Sequence, residues 1–219
     1  MEILLVRHGQ SLANTGAVDP QQRGDHNIGL TALGKAQAEA RGREIDAEFL
    51  RESLIYCSPY RRTRETLQQL LLGAQVDAGG DGLLIYEDPR LREVEHGFEG
   101  TADKVEAQSR LQEIHGWFYY RFRGGESPAD CFDRVCTFLE SMIRQMERKG
   151  RQRVVVVTHG LTIRCFVMRF LHLTVEQFED LANPGNGDLV RIAEVQQLAH
   201  PLHSRGRWGV EGLRLRSEK

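Results

Sequence analysis

The sequence predicts an α/β fold: a three-layer α/β/α sandwich with a mostly parallel central sheet. Three observations predict it. Four short apolar runs, I-L-L-V (3–6), L-I-Y-C (54–57), L-L-I-Y (83–86) and V-V-V-V-T (154–158), are continuous rather than alternating. That pattern marks strands buried on both faces. Helical patterns lie between the runs, and strands alternating with helices build largely parallel sheets. No internal repeat or long linker divides the 219 residues, so they read as a single domain, 1–219.

The elements follow in order. Thr31 is placed to cap a helix running through G-K-A-Q-A-E-A-R to about residue 50, with Leu33, Ala36, Ala40 and Ile45 near one face. Residues 60–72 and 128–146 also read as helices. In the second, Cys131, Val135, Phe138, Leu139, Met142 and Met146 form an apolar stripe that is most simply core. A further helix follows His159 through I-R-C-F-V-M-R-F-L, and a fifth strand, D-L-V-R-I-A (188–193), follows the turn-rich N-P-G-N-G. Residues 95–126 are glycine-punctuated and read as an irregular insertion covering the active-site end of the sheet. The basic, weakly periodic stretch 200–219 is expected to pack loosely.

Composition narrows the class. Apolar residues make up 40% of the chain and there are 22 glycines, which is the globular norm. A net charge of -2 gives no sign of a nucleic-acid or membrane partner. The cysteines, Cys57, Cys131, Cys136 and Cys165, show no CxxC pair and no metal-ligand spacing, so they read as thiols in a reducing compartment. I-L-L-V is too short for a signal peptide, and no run approaches the roughly 18 apolar residues of a membrane span. A cytoplasmic protein is expected, with no metal and no cofactor.

Chemistry converges at the strand ends. In a parallel sheet, ligands bind beyond the carboxyl ends of the strands. The first strand ends at Arg7-His8-Gly9, the second at Ser58-Pro59 with Arg61 and Arg62 just beyond. The third runs toward Leu91-Arg92-Glu93, and the fourth ends at His159-Gly160. Parallel strands bring these residues to one rim. Such a set suits phosphoryl transfer: arginines fork onto phosphate oxygens, a neutral imidazole attacks phosphorus, and a carboxylic acid protonates the leaving oxygen. Gly9 and Gly160 permit close backbone approach, and the amides after His159 offer a further anion site.

Several ordered stretches resemble the histidine phosphatase superfamily, in its phosphoglycerate mutase-like branch. L-L-V-R-H-G-Q-S-L-A-N resembles the family's R-H-G-x-S-x-x-N, G-L-T-A-L-G its L-T-x-x-G, and S-P-Y-R-R-T-R-E-T its S-x-x-x-R-A-x-x-T. L-R-E-V-E-H-G-F-E-G resembles L-x-E-x-x-x-G-x-W-E-G with one residue fewer before the final E-G. G-E-S-P-A-D and V-V-V-V-T-H-G match the start of the late helix and the strand carrying the second histidine. The resemblance implies a phosphoglycerate mutase-like fold, His8 as nucleophile, and Glu93 as proton donor. It implies a phosphate pocket of Arg7, Asn14, Arg62, His159 and Gly160, and it puts the family arginine on Arg62 rather than Arg61.

The family holds both mutases and phosphatases. Mutases typically carry F-x-G-W-x-D before L-T-x-x-G, where this chain has T-G-A-V-D-P-Q-Q-R-G-D-H-N-I-G without tryptophan. A carboxylate-gripping Y-K-x-R-R-x-P-P-like stretch is replaced by T-A-D-K-V-E-A-Q-S-R. Hydrolysis of a phosphomonoester is therefore the expected reaction, with mutase-type transfer as the runner-up. A low-activity phospho-ligand or protein-binding module is the third reading. The expected substrate is a small phosphorylated metabolite or else a phosphoprotein, for a monomer or homodimer. W-F-Y-Y-R-F-R (117–123) reads equally as substrate contact or as packing of the insertion.

Overall fold

The computed structural model describes residues 1–97 and 102–218. The apolar runs form β1 (Glu2–Arg7), β2 (Ser53–Cys57), β3 (Leu84–Glu87) and β4 (Arg153–Thr158), joined by β5 (Leu189–Glu194), β6 (His203–Arg205) and β7 (Trp208–Glu211). They make one seven-stranded sheet in the order β3-β2-β4-β1-β5-β7-β6. From β3 to β1 every pairing is parallel; β5 runs antiparallel to β1, and β7 and β6 continue antiparallel. The helices are α1 (Pro20–Arg23), α2 (Ala32–Glu44), α3 (Ala47–Glu52), α4 (Arg61–Gly73), α5 (Ala102–His115), α6 (Pro128–Lys149), α7 (Gly160–Leu171) and α8 (Val175–Asp180). No helix among the described residues is long and apolar enough to cross a membrane.

Each central strand buries both faces, which is why its sequence is a continuous apolar run. Ile3, Leu5, Leu54, Tyr56, Val154 and Val156 share a core with the apolar faces of α6 and α7. Leu4, Val6, Ile55, Val155 and Val157 pack on the other side against Leu67, Leu70 and Leu71 of α4. Helices therefore cover both faces. The stripe from Cys131 to Met146 is core, as its spacing implies. A capping box starts α6: Asp130 N donates to Ser127 Oγ at 3.1 Å, and Ser127 N donates back to Asp130 Oδ2 at 2.8 Å.

Three expectations are corrected. The helix capped by Thr31 ends at Glu44, not near residue 50: Ile45 is extended and Asp46 starts α3 by accepting from Glu48 N at 3.1 Å. Its buried face is Gly34, Ala38 and Gly42, whereas Leu33 is 55% exposed and Ala36 and Ala40 are exposed. Small residues line that face because α2 and α4 touch backbone to backbone. The insertion at 95–126 is not wholly irregular, since it contains α5. The stretch 200–219 is not loose: β6 and β7 extend the sheet, Val210 is fully buried, and Trp208 packs edge-on against Phe170 at 5.9 Å.

The α2–α4 contact generates a test. A Cβ built on Gly42 would lie 2.0 Å from the Leu70 carbonyl oxygen, a backbone atom with no freedom to retreat. Gly→Ala at an uncrowded helical position stabilises by roughly 0.5–1 kcal/mol. Gly42→Ala should instead destabilise by about 2 kcal/mol, as overpacking does. Urea unfolding midpoints decide the sign.

Candidate active site

The register of β1 against β4 builds the site. Arg7 is paired with Thr158, so the next residue on each strand is a histidine at the same level of the sheet. The His8 and His159 ring centroids are 5.2 Å apart at an interplanar angle of 65°. Both rings are buried, and His8 N donates to Thr158 O at 3.0 Å. His8 Nδ1 lies 2.8 Å from Gly9 O, and a carbonyl only accepts, so the ring proton is on Nδ1 and the lone pair on Nε2. His159 Nε2 lies 2.9 Å from Ser58 Oγ. That hydroxyl accepts from Tyr60 N at 3.4 Å and keeps its proton and a second lone pair for the ring nitrogen. His159 Nδ1 is buried with no hydrogen-bond partner among the described residues.

Two arginines flank the pair. Arg62, at the start of α4, is 4% exposed, while its neighbour Arg61 points outward to an ion pair with Glu65 at 2.7 Å. Arg62 Nη1 and Nη2 meet Asp25 Oδ1 and Oδ2 at 2.7 and 3.0 Å, and its guanidinium lies 4.9 Å from the Tyr60 ring centroid. Arg7 donates to Pro184 O, and its Nε is buried with no hydrogen-bond partner among the described residues. Glu93 Oε1 accepts from Val94 N at 3.1 Å and lies 3.3 Å from Thr162 Oγ1, a hydroxyl in the first turn of α7 whose proton goes to Arg92 O. Asn14 Oδ1 accepts from Ser11 N, Ser11 Oγ and Asn186 Nδ2 at 3.0, 3.0 and 3.1 Å. Every expected site residue is thus placed at or beside the same rim.

The missing side chains of the two glycines make room for protein atoms. A Cβ on Gly9 would fall 2.2 Å from Gly34 O, so Gly9 makes room for α2. One on Gly160 would meet Asn183 at 3.1 Å and Arg7 Nε at 3.4 Å. Trp117 and Phe118 are packing residues: Trp117 stacks on Phe178 at 5.7 Å, and Phe118 is 5% exposed. Phe98, Glu99 and Gly100, which end the Glu93 motif, lie outside the described residues.

Sequence reasoning missed four supporting groups. Ser58 stands in the sequence only as a strand end and as the first residue of S-x-x-x-R, Asp25 only within an interval lacking tryptophan, and Asn186 only as a turn residue. Thr162, within the helix after His159, carried no signal of its own.

The arrangement has an electrostatic cost. Burial pushes the His8 imidazole down to about 3, with the Arg62 and Arg7 cations adding to the effect against the Gly9 carbonyl. Burial drives His159 well below the usual range, assisted by Arg62 and His8. Burial also lowers Arg7, against the pull of Glu93 and Asp188. The result is two neutral imidazoles between two cations, a pocket that attracts an anion and keeps a ring nitrogen unprotonated.

Comparison with known proteins agrees with this geometry. The model of the histidine phosphatase superfamily (branch 1) matches residues 3–198. A phosphoglycerate mutase-like protein of Arabidopsis thaliana is 33% identical over 99% of this chain and 74% of its own. A broad-range acid phosphatase of Saccharomyces cerevisiae is 25% identical over 86% of this chain and 84% of its own. The solved mycobacterial glucosyl-3-phosphoglycerate phosphatase shares the fold, with a TM-score of 0.68 and 24% identity over 96% of this chain and 97% of its own. The chain belongs to the histidine phosphatase superfamily, in which phosphatases and phosphoglycerate mutase-like proteins share one fold.

The buried histidines make stability pH-dependent. Unfolded His8 takes up a proton near 6.5, the folded ring only near 3. Between those values the unfolded chain binds more protons, so stability falls as pH falls, by about 1.4 kcal/mol per pH unit for each such ring. Urea midpoints should drop steeply from pH 6.5 to 5, and His8→Asn should remove about half of that slope. An unchanged slope in the variant would show that His8 titrates normally in the folded chain.

Proposed function

We propose that the chain is a phosphatase that hydrolyses a phosphomonoester through a covalent phosphohistidine on His8. The observation that carries the reading is the buried histidine pair: His8, with its ring proton held by Gly9 O and its lone pair on Nε2, has its ring centroid 5.2 Å from that of His159. Arg7, Asn14, Arg62, His159 and the amide of Gly160 bind the phosphate oxygens. His8 Nε2 attacks phosphorus, and the P–O ester bond breaks with its electron pair on the leaving oxygen, which takes the proton of Glu93. His8 needs to lose no proton in this step, because Nδ1–H stays on Gly9 O and the imidazolium charge sits against the phosphoryl dianion. Water then attacks phosphorus and gives its proton to Glu93; the P–N bond breaks, and orthophosphate leaves.

Hydrolysis is preferred to transfer because the segments that mark mutases are absent from the sequence, and a broad-range acid phosphatase is among the relatives. The substrate is read as a small phosphorylated metabolite, with a phosphoprotein as the alternative. Residues 95–126 are read as the cover of the rim, and the two ends of the segment meet where Glu126 N donates to Glu95 O at 2.7 Å.

The purified chain should release phosphate from an aryl phosphate in the presence of EDTA, and His8→Ala should abolish release. Undiminished turnover in that variant would sink the nucleophile assignment. Arg62→Ala should cost about 3 kcal/mol of transition-state stabilisation. Arg61→Ala, an exposed residue, should cost less than about 0.5 kcal/mol. Equal losses would mean that the wrong arginine has been given the phosphate.

The mutase alternative is tested with 3-phosphoglycerate and a 2,3-bisphosphoglycerate primer. Free phosphate should appear without net isomerisation; fast isomerisation with little phosphate would reverse the reading.

A further inference from the structure

The N-P-G-N-G-D segment, residues 183–188, is more than the turn before β5. Its backbone holds the end of β1: Arg7 N donates to Asp188 O at 3.1 Å, Gly187 N donates to His8 O at 3.2 Å, and Pro184 O accepts from the Arg7 guanidinium. The segment is locked on itself, since Gly185 N donates to Asp188 Oδ2 at 2.7 Å and Asp188 N donates to Gly185 O at 3.1 Å. One rigid loop therefore grips both residues of the Arg7-His8 pair.

The second of its two side-chain amides, that of Asn186, reaches further. Asn186 Nδ2 donates to His8 O at 3.3 Å and to Asn14 Oδ1 at 3.1 Å. The direction of both amides is fixed by chemistry. His8 O can only accept, so Asn186 presents its NH2 group there. Ser11 N can only donate, so Asn14 presents its oxygen there, at 3.0 Å. With three donors on Asn14 Oδ1, the acceptor end of that side chain is saturated and its NH2 end remains for an incoming anion. Asn14 itself is exposed, and its other anchors both come from Ser11, three residues before it in the same turn. Asn186 is the tether that joins this turn to the rigid end of β1.

We propose that Asn186 is a positioning residue of the phosphate pocket: it acts through Asn14, holding that amide with its NH2 group toward the phosphate. The inference rests on the reading of Asn14 as a phosphate ligand. Asn186 does not touch the reacting atoms. Its effect is to keep an exposed donor in place before the substrate arrives, so that binding does not have to order it.

A double-mutant cycle tests this. Asn14→Ala, Asn186→Ala and the double variant are compared for kcat and KM with an aryl phosphate, for the inhibition constant of inorganic phosphate, and for melting temperature. Asn186→Ala should raise KM and the phosphate inhibition constant about tenfold, the worth of one hydrogen bond to a charged group. The double variant should be no worse than Asn14→Ala alone. A merely structural role would make the two losses multiply, and that outcome overturns the proposal. So does an Asn186→Ala enzyme with unaltered phosphate affinity where Asn14→Ala is impaired. If Asn14→Ala has full affinity while His8→Ala is dead, the proposal falls and the phosphohistidine reading stands. If His8→Ala remains active, the catalytic reading itself has failed.

Discussion

The site depends on one constraint: β1 and β4 are adjacent, parallel and in register, so that both strands end at the same height. The pairing of Arg7 with Thr158 leaves His8 and His159 side by side. A slip of one residue would turn one of the rings to the opposite face of the sheet. What holds the register is the burial of both faces of both strands, with Leu4, Leu5, Val155 and Val156 each contributing to one core or the other. The hydrophobic core thus does chemical service: it fixes the imidazoles, and it withholds from them the water that would otherwise let them carry charge.

Glu93 lies on no regular element, so it needs other support. Thr158 Oγ1 donates to Leu91 O at 2.7 Å, and Thr162 Oγ1 donates to Arg92 O at 2.8 Å, stitching this segment to β4 and α7. From the other side, Glu126 pairs with both Arg92 and Arg134, and Arg134 also donates to the carbonyl of Arg90. Glu126 immediately precedes the Ser127 cap of α6. The G-E-S stretch therefore both starts a helix and braces the carboxylate loop. This explains why two stretches far apart in the chain belong to one site.

Much of this was legible because it follows from periodicity and strand polarity. The four parallel strands, the α6 stripe and the convergence of Arg7, His8, Glu93 and His159 all come from patterns local to the sequence. The extent of α2 did not, because its buried face is made of Gly34, Ala38 and Gly42, and a hydrophobicity pattern is blind to glycine packed on backbone. The final strands were missed because Arg205 and Arg207 gave the tail a basic look, while Trp208 and Val210 were supplying the inward-facing alternation. Arg61 and Arg62 are chemically equivalent in sequence; only the helix geometry at the end of β2 buries one and exposes the other. Tethers such as Asn186 are invisible for a different reason. They act through a hydrogen bond to a residue 172 positions away, which no local pattern encodes.

The site also shows what an incoming phosphate must compete with. Arg62 is neutralised end-on by Asp25, with Nη1 also donating to the Asp25 carbonyl at 2.9 Å. Glu93 and Asp188 offset Arg7 from a greater distance. Without these carboxylates the folded chain would bury two guanidinium groups beside two desolvated imidazoles, an arrangement costing several kcal/mol per uncompensated charge. A phosphate that enters must therefore use the remaining N–H groups of Arg62 or displace Asp25, and in either case its attraction to the arginines is measured against a charge already present. The gain on binding is smaller than the two cations alone would suggest. The same balance stabilises the two buried guanidinium groups, and it leaves the strongest attraction to a phosphoryl group that brings more negative charge to Arg62 than one carboxylate does.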